Sequence, residues 1–148
     1  MHDKLKERIK QHEGFRNYVY LDSLGKKTVG YGHLCRDNED WDIKKSYSIQ
    51  ELEACFESDF NNALVGAERL IGDITIDPKA KEVIIEMVFQ LGETGVSKFK
   101  KMWAALKEQD YINASNEMLD SKWARNDTPS RAKELSDIVL SLADGYYI

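Results

Sequence analysis

The residues of this chain best suited to chemistry are carboxylates. Glu13 stands just before Gly14, and Asp22 opens the polar stretch Asp22-Ser23-Leu24-Gly25-Lys26-Lys27. Both precede a Gly-x-Gly run, Gly30-Tyr31-Gly32. Glycine within a strand often marks a place where another backbone or a ligand comes close. Two carboxylates facing such a run could flank a sugar, one protonating the leaving oxygen while the other acts from the opposite face. A mostly buried Glu13 would then keep its proton, and a more exposed Asp22 would stay ionised. Spacing alone favours a plainer reading, a helix-end carboxylate in solvent and a turn former. With 26 acidic residues in the chain, a pair by itself carries no weight.

Other chemistries find less support. The sequence has no Gly-rich phosphate loop and no serine elbow. Its three histidines (His2, His12, His33) are too few and scattered for a metal site, so neither metal nor cofactor is expected. Cys35 and Cys55 fit neither a disulfide framework nor a zinc spacing, and read as incidental thiols of a reduced intracellular protein. The net charge of −5 argues against nucleic acid as a partner. Lys98, Lys100, Lys101 and Lys107 read as a solvated helix face. The opening residues are charged and no apolar run could span a membrane, so a soluble protein without secretory signal or membrane insertion is expected.

The elements that must position Glu13 and Asp22 follow from periodicity. Leu5, Ile9 and Phe15 sit near helical spacing, and Gly14 stops that helix. Tyr18–Leu21 and Thr28–Tyr31 are β-rich runs joined by a hairpin turn, with Gly30 and Gly32 on one face of the second. Residues 36–47 read as a long irregular loop. Ser48-Ile49-Gln50-Glu51 is a capping box that opens a helix running to Gly72. Asp77-Pro78 caps the next helix, whose run Val83-Ile84-Ile85-Glu86-Met87-Val88-Phe89 is apolar nearly all round and ends at Gly92. Further helices start near Ser97, Asp110 and Thr128-Pro129. The expected class is α+β with helix dominant. It forms a single domain over 1–148: a β-containing lobe over about 12–50, a connecting helix over about 48–72, and a helical lobe over about 73–148 joined by the N-terminal helix 3–12.

At this level a resemblance emerges. Glu13-Gly14-x-Arg16, Tyr20-x-Asp22 and Gly25-x-x-Thr28-x-Gly30-x-Gly32-His33-Leu34 resemble the catalytic segment of the T-even bacteriophage lysozymes, the endolysins of glycoside hydrolase family 24. Met87–Val96, Ser121-Lys122-Trp123 and Thr128-Pro129-x-Arg131-Ala132-Lys133 extend it, in order, over essentially the whole chain. The resemblance implies a two-lobed lysozyme-like fold. It also implies inverting hydrolysis of the β-1,4 bond between N-acetylmuramic acid and N-acetylglucosamine in peptidoglycan. Glu13 matches the general acid, Asp22 the second carboxylate, and Thr28 the hydroxyl that shares the attacking water. Leu34 and Phe89 match cleft-lining positions, and Gly30, Gln90, Met102 and Glu117 are further expected substrate contacts. Arg131 matches a cation near the acid, and His33 with Asp59 a structural ion pair. The implied setting is a monomer acting on the peptidoglycan glycan strand, held in the host cytoplasm until a holin admits it to the wall.

The chain also departs from that pattern. The stretch between His33 and Asp59 is about a dozen residues shorter than in the best-known members, which should trim the lower lip of the cleft. Leu24 replaces a carboxylate that commonly faces a basic residue, here Lys122. Glu117 and Met102 replace Asn and Ser, which bears on those sugar contacts. A lytic transglycosylase on the same bond, or an inactive binding or inhibitory module, are the alternatives. Asp22 and Thr28 argue against the first by their fitness to hold water, and the intact trio of Glu13, Asp22 and Thr28 argues against the second.

Overall fold

The structure is a computed structural model and describes residues 2–143. The chain divides into two compact units, one up to Asn62 and one from Ala63, with the boundary inside a long helix. Among the described residues the class is helix-dominant α+β with a three-stranded antiparallel sheet.

In the first unit, helix α1 (Asp3–Glu13) buries Leu5 and Ile9, one turn apart on a single face. Phe15 lies beyond the helix, not on its stripe, and stacks against Tyr31 at 4.8 Å between ring centroids. Strands β1 (Arg16–Leu21) and β2 (Lys27–Gly30) pair with Tyr20 opposite Thr28 and Leu21 opposite Lys27, after an irregularity between Arg16 and Tyr20. Gly30 and Gly32 do not share a strand face. Both take positive φ (+65° and +71°), and the chain turns back through Tyr31-Gly32 into a two-residue strand β3 (His33–Leu34). Only glycine adopts such angles at no steric cost, so the Gly-x-Gly run makes a second hairpin instead of a longer strand. Val19, Val29, Tyr47 and Leu52 form the small core beneath the sheet, with Cys35 and Trp41 against it. Residues 36–47 are irregular, as their composition predicts, and are tied down by a β-bridge from Tyr18 to Ser46 and by the Tyr47 amide donating to the Asn17 carbonyl at 2.8 Å.

Helix α2 (Ile49–Ile71) opens on the expected capping box: the Glu51 amide donates to Ser48 Oγ at 3.2 Å, and the Ser48 amide to Glu51 Oε1 at 3.5 Å. On its first-unit portion, Leu52, Phe56 and Phe60 recur every fourth residue and are buried.

In the second unit, Asp77 caps helix α3 (Pro78–Ser97) by accepting the Lys79 amide at 2.8 Å, and Pro78 fills the first helical position. Every residue from Val83 to Val88 is buried, which marks α3 as the centre of this unit. Gly92 (φ 81°, ψ 160°) breaks the helix, which then resumes to Ser97 instead of ending. Helices α4 (Lys100–Lys107) and α5 (Tyr111–Leu119), a π-helical turn (Trp123–Asp127) and α6 (Pro129–Leu140) complete the unit. Lys98, Lys100, Lys101 and Lys107 are exposed, in keeping with a solvated face. No helix among the described residues is long and apolar enough to cross a membrane.

Candidate active site

Glu13 is the last residue of α1 and is half-buried. Gly14 (φ 73°) reverses the chain directly after it, while its amide still donates to the Lys10 carbonyl at 2.9 Å. Opposite the carboxyl lies the bare Cα of Gly32. A Cβ built there would strike Glu13 Oε1 and sit 3.0 Å from its Cδ. The glycine therefore serves two needs, the positive φ of the hairpin and room for the Glu13 carboxyl.

Asp22 follows β1 and is held by its own turn. Its Oδ1 accepts the Leu24 amide at 2.9 Å and the Lys26 amide at 2.8 Å, an Asx turn that fixes the carboxylate plane. Both bonds fall on Oδ1, which leaves Oδ2 for a ligand among the described residues. Thr28 is buried on β2, and its hydroxyl donates to the Lys26 carbonyl at 3.1 Å. One residue, Lys26, thus contributes its N–H to Asp22 and its C=O to Thr28. With its proton committed, Thr28 Oγ1 faces any neighbour as an acceptor.

Tyr20 connects the two carboxylates electrostatically. Burial is the main cause of its raised pKa, the Arg16 guanidinium opposes it, and the charges of Glu13 and Asp22 both add to it. Arg16 lies 4.4 Å over the Tyr20 ring. Glu13 and Asp22 are therefore both within electrostatic reach of a single phenol.

His33 is buried on β3 between two carboxylates: Nδ1 is 2.7 Å from Asp59 Oδ2 and Nε2 is 2.9 Å from Glu39 Oε1. The hydrogen bond to Asp59, then one to Cys55, push its pKa up to about 11 against the effect of burial, with Glu39 adding to the rise. Burial pushes Glu39 up, but hydrogen bonds from His33, the Arg36 amide and the Trp41 indole bring it below its usual value. His33 is thus an imidazolium donating from both nitrogens.

The model of the phage lysozyme family matches residues 10–137. The chain belongs to the phage lysozyme family. It is 30% identical to a protein of Dictyostelium discoideum named probable T4-type lysozyme 2, over 93% of this chain and 94% of that one. Probable T4-type lysozyme 1 of the same organism is 29% identical over 94% and 95%. The pre-baseplate central spike protein Gp5 of Enterobacteria phage T4 is 26% identical over 91% of this chain and 27% of its own length. Family membership makes this lysozyme a glycoside hydrolase.

The remaining expected site residues of the lysozyme divide between the units. In the first, Leu34 is exposed on β3 opposite Thr28, and a Cβ built on Gly30 would come within 3.2 Å of the Leu52 side chain. In the second, Phe89 is half-buried. Gln90 is tied to the protein at both ends of its amide, accepting from the Trp123 indole at 2.9 Å and donating to Thr128 at 3.0 Å. Met102, almost wholly buried, and the half-buried Glu117 line a hollow of about 790 Å³ with Lys98, Phe99, Lys122 and Trp123. Lys122 lies 4.0 Å from Asp127, and Leu24 is exposed. Arg131 is buried, with Nε donating to Glu86 Oε2 at 2.9 Å.

Glu86, Glu39 and Cys55 escaped the sequence reading. Glu86 carried a signal, since a fully buried carboxylate within an apolar helix demands a cationic partner. Cys55 and Asp59 carried another, the four-residue spacing that puts two side chains on one helix face. Glu39 had none, because only tertiary folding of the 36–47 loop brings it to His33.

Proposed function

We propose that this lysozyme cleaves the β-1,4 bond between N-acetylmuramic acid and N-acetylglucosamine in peptidoglycan, with inversion, and that its role is to lyse the host cell. Glu13 is the general acid that protonates the leaving oxygen. Asp22 is the base. A water donating one hydrogen to Asp22 Oδ2 and the other to Thr28 Oγ1 keeps a lone pair for attack on the anomeric carbon. The observation that carries this reading is the commitment of Asp22 Oδ1 and of the Thr28 proton to Lys26, which leaves Asp22 Oδ2 and Thr28 Oγ1 as two acceptors for that water among the described residues. Inversion requires room for the water between base and sugar. The resemblance further supports a monomer that waits in the host cytoplasm until a holin opens a route to the wall.

Digestion of purified peptidoglycan tests the reaction. New reducing ends, released first as the inverted α-anomer in NMR, are expected. Anhydro-sugars would mean a transglycosylase, and no release a binding module. Glu13→Gln keeps the side chain's size but loses the transferable proton, and should slow turnover about 10²–10⁴-fold. A folded Glu13→Gln protein retaining a tenth of the activity would remove Glu13 from the acid's role.

A further inference from the structure

His33 lies in a wider cluster, all within the first unit, that the proposed hydrolysis does not use. A ring nitrogen of His33, the Cys55 sulfur and a carboxylate oxygen of Asp59 all lie within 4.8 Å of one another. His33 comes from β3, whereas Cys55 and Asp59 sit one turn apart on α2. We propose that His33, Cys55 and Asp59 bind a zinc ion that clips β3 to α2, with water as the fourth ligand.

The donor set suits that ion. Thiolate, imidazole and carboxylate together favour zinc over the hard cations, which prefer oxygen alone. Bond lengths of about 2.0–2.3 Å in a tetrahedron separate the ligand atoms by roughly 3.3–3.6 Å. To meet this, Nδ1 and Asp59 Oδ2, now 2.7 Å apart, must open by about 0.6 Å, and the widest pair, within 4.8 Å, must close.

The second observation is Glu39. A metal-bound histidine usually donates its other N–H to a carboxylate, which fixes the ring and raises its basicity. Here Nε2 faces Glu39 at 2.9 and 3.2 Å, on the side away from Asp59. Glu39 is itself held by the Arg36 amide at 3.0 Å and the Trp41 indole at 3.2 Å. An ion pair between His33 and Asp59 needs neither this buttress nor a thiol. On binding, zinc replaces the proton on Nδ1 and the proton on the Cys55 sulfur, both of which pass to solvent, so affinity rises with pH.

The test uses the full chain, stripped with a chelator and titrated with Co²⁺ as a spectroscopic stand-in. One equivalent should give a near-ultraviolet thiolate charge-transfer band and the visible bands of a four-coordinate ion, and Zn²⁺ should abolish both. Cys55→Ser should remove the charge-transfer band and weaken binding at least tenfold, whereas Cys35→Ser, altering a residue outside the cluster, should keep both. Glu39→Gln should weaken binding by roughly 10- to 100-fold. If Cys55→Ser fails to fold, the unaltered protein still decides: Zn²⁺ should raise its melting temperature and chelator reverse the rise. No charge-transfer band at millimolar Co²⁺, a band that survives in Cys55→Ser, or a melting temperature indifferent to Zn²⁺ would overturn the proposal.

Discussion

Gly32→Ala separates the placement of Glu13, the proposed acid, from the stability of the fold. At φ 71° an L-residue meets about 1–2 kcal/mol of backbone strain, which lowers the melting temperature by roughly 2–8 °C in a chain of this size. The added methyl also meets the Glu13 carboxyl. That carboxyl is the free end of a flexible side chain, so it yields with little further loss of stability. It must withdraw by about 1 Å to reach ordinary contact, and a misplacement of that size lowers turnover on the order of 10²-fold. Gly72→Ala supplies the control, because Gly72 also has positive φ (55°) but no atom within 4 Å of an added Cβ. Both variants should melt at similar temperatures, well above the assay temperature. Turbidity clearing of peptidoglycan, normalised to folded protein by circular dichroism, then compares them. Gly72→Ala should match the unaltered lysozyme and Gly32→Ala should fall about a hundredfold. Activity of Gly32→Ala within threefold of the control would show that Glu13 need not occupy its observed position, and would refute the link between this glycine and the acid.

Glu86→Gln turns the charge-assisted bond from Arg131 Nε into a neutral one and should lower stability by about 1–3 kcal/mol in denaturant unfolding, whereas Glu86→Leu combined with Arg131→Leu should recover most of it. Asp77→Ala removes the cap of α3 and should lower stability by about 1 kcal/mol without changing turnover. The pair Lys10–Glu53 predicts a pH effect. The Lys10 hydrogen bond, with help from Tyr31 and against burial, lowers the Glu53 pKa from 4.5, so its contribution is fully present above 4.5 and lost as pH falls through the lowered folded value. The pair is partly exposed and worth below ~1 kcal/mol, so the stability gap between Glu53→Gln and the unaltered protein should close in acid.

What could be read from the sequence was local in its physical cause. The capping box at Ser48 and the Asp77-Pro78 start depend on neighbours within a turn, and both appear as expected. Gly30 and Gly32 do mark points of close approach, but by the side chains of Leu52 and Glu13 and not by a backbone or ligand; Gly30 ends strand β2 as expected, while Gly32 lies in the turn beyond it. Glycine pattern does not distinguish a weakened strand from a two-residue turn; pairing of β3 with β2 decides it. Gly92 was rightly a break but not an end, because the residues after it are competent to resume a helix. His33 was expected to brace Asp59 and lies 2.7 Å from it. The second carboxylate and the thiol beside His33 depend on loop closure and on the facing of β3 and α2, which no local pattern encodes.

The double use of Lys26 has a consequence for how this lysozyme tolerates change. Asp22, Lys26 and Thr28 form their mutual geometry within seven consecutive residues through backbone groups, so the Lys26 side chain is free to vary while the length of the turn is not. One inserted residue would uncouple Asp22, the proposed base, from the Thr28 hydroxyl without disturbing the rest of the fold. Glu13 arrives from a different element and depends on the docking of α1 against the second hairpin. Under the proposed mechanism, substitutions elsewhere in the first unit should therefore reach the reaction through protonation of the leaving group far more often than through the attacking water. In a screen of random variants, the folded but impaired ones should divide accordingly. Those affecting water delivery should concentrate in one short window of the chain, and those affecting the acid should be scattered along it.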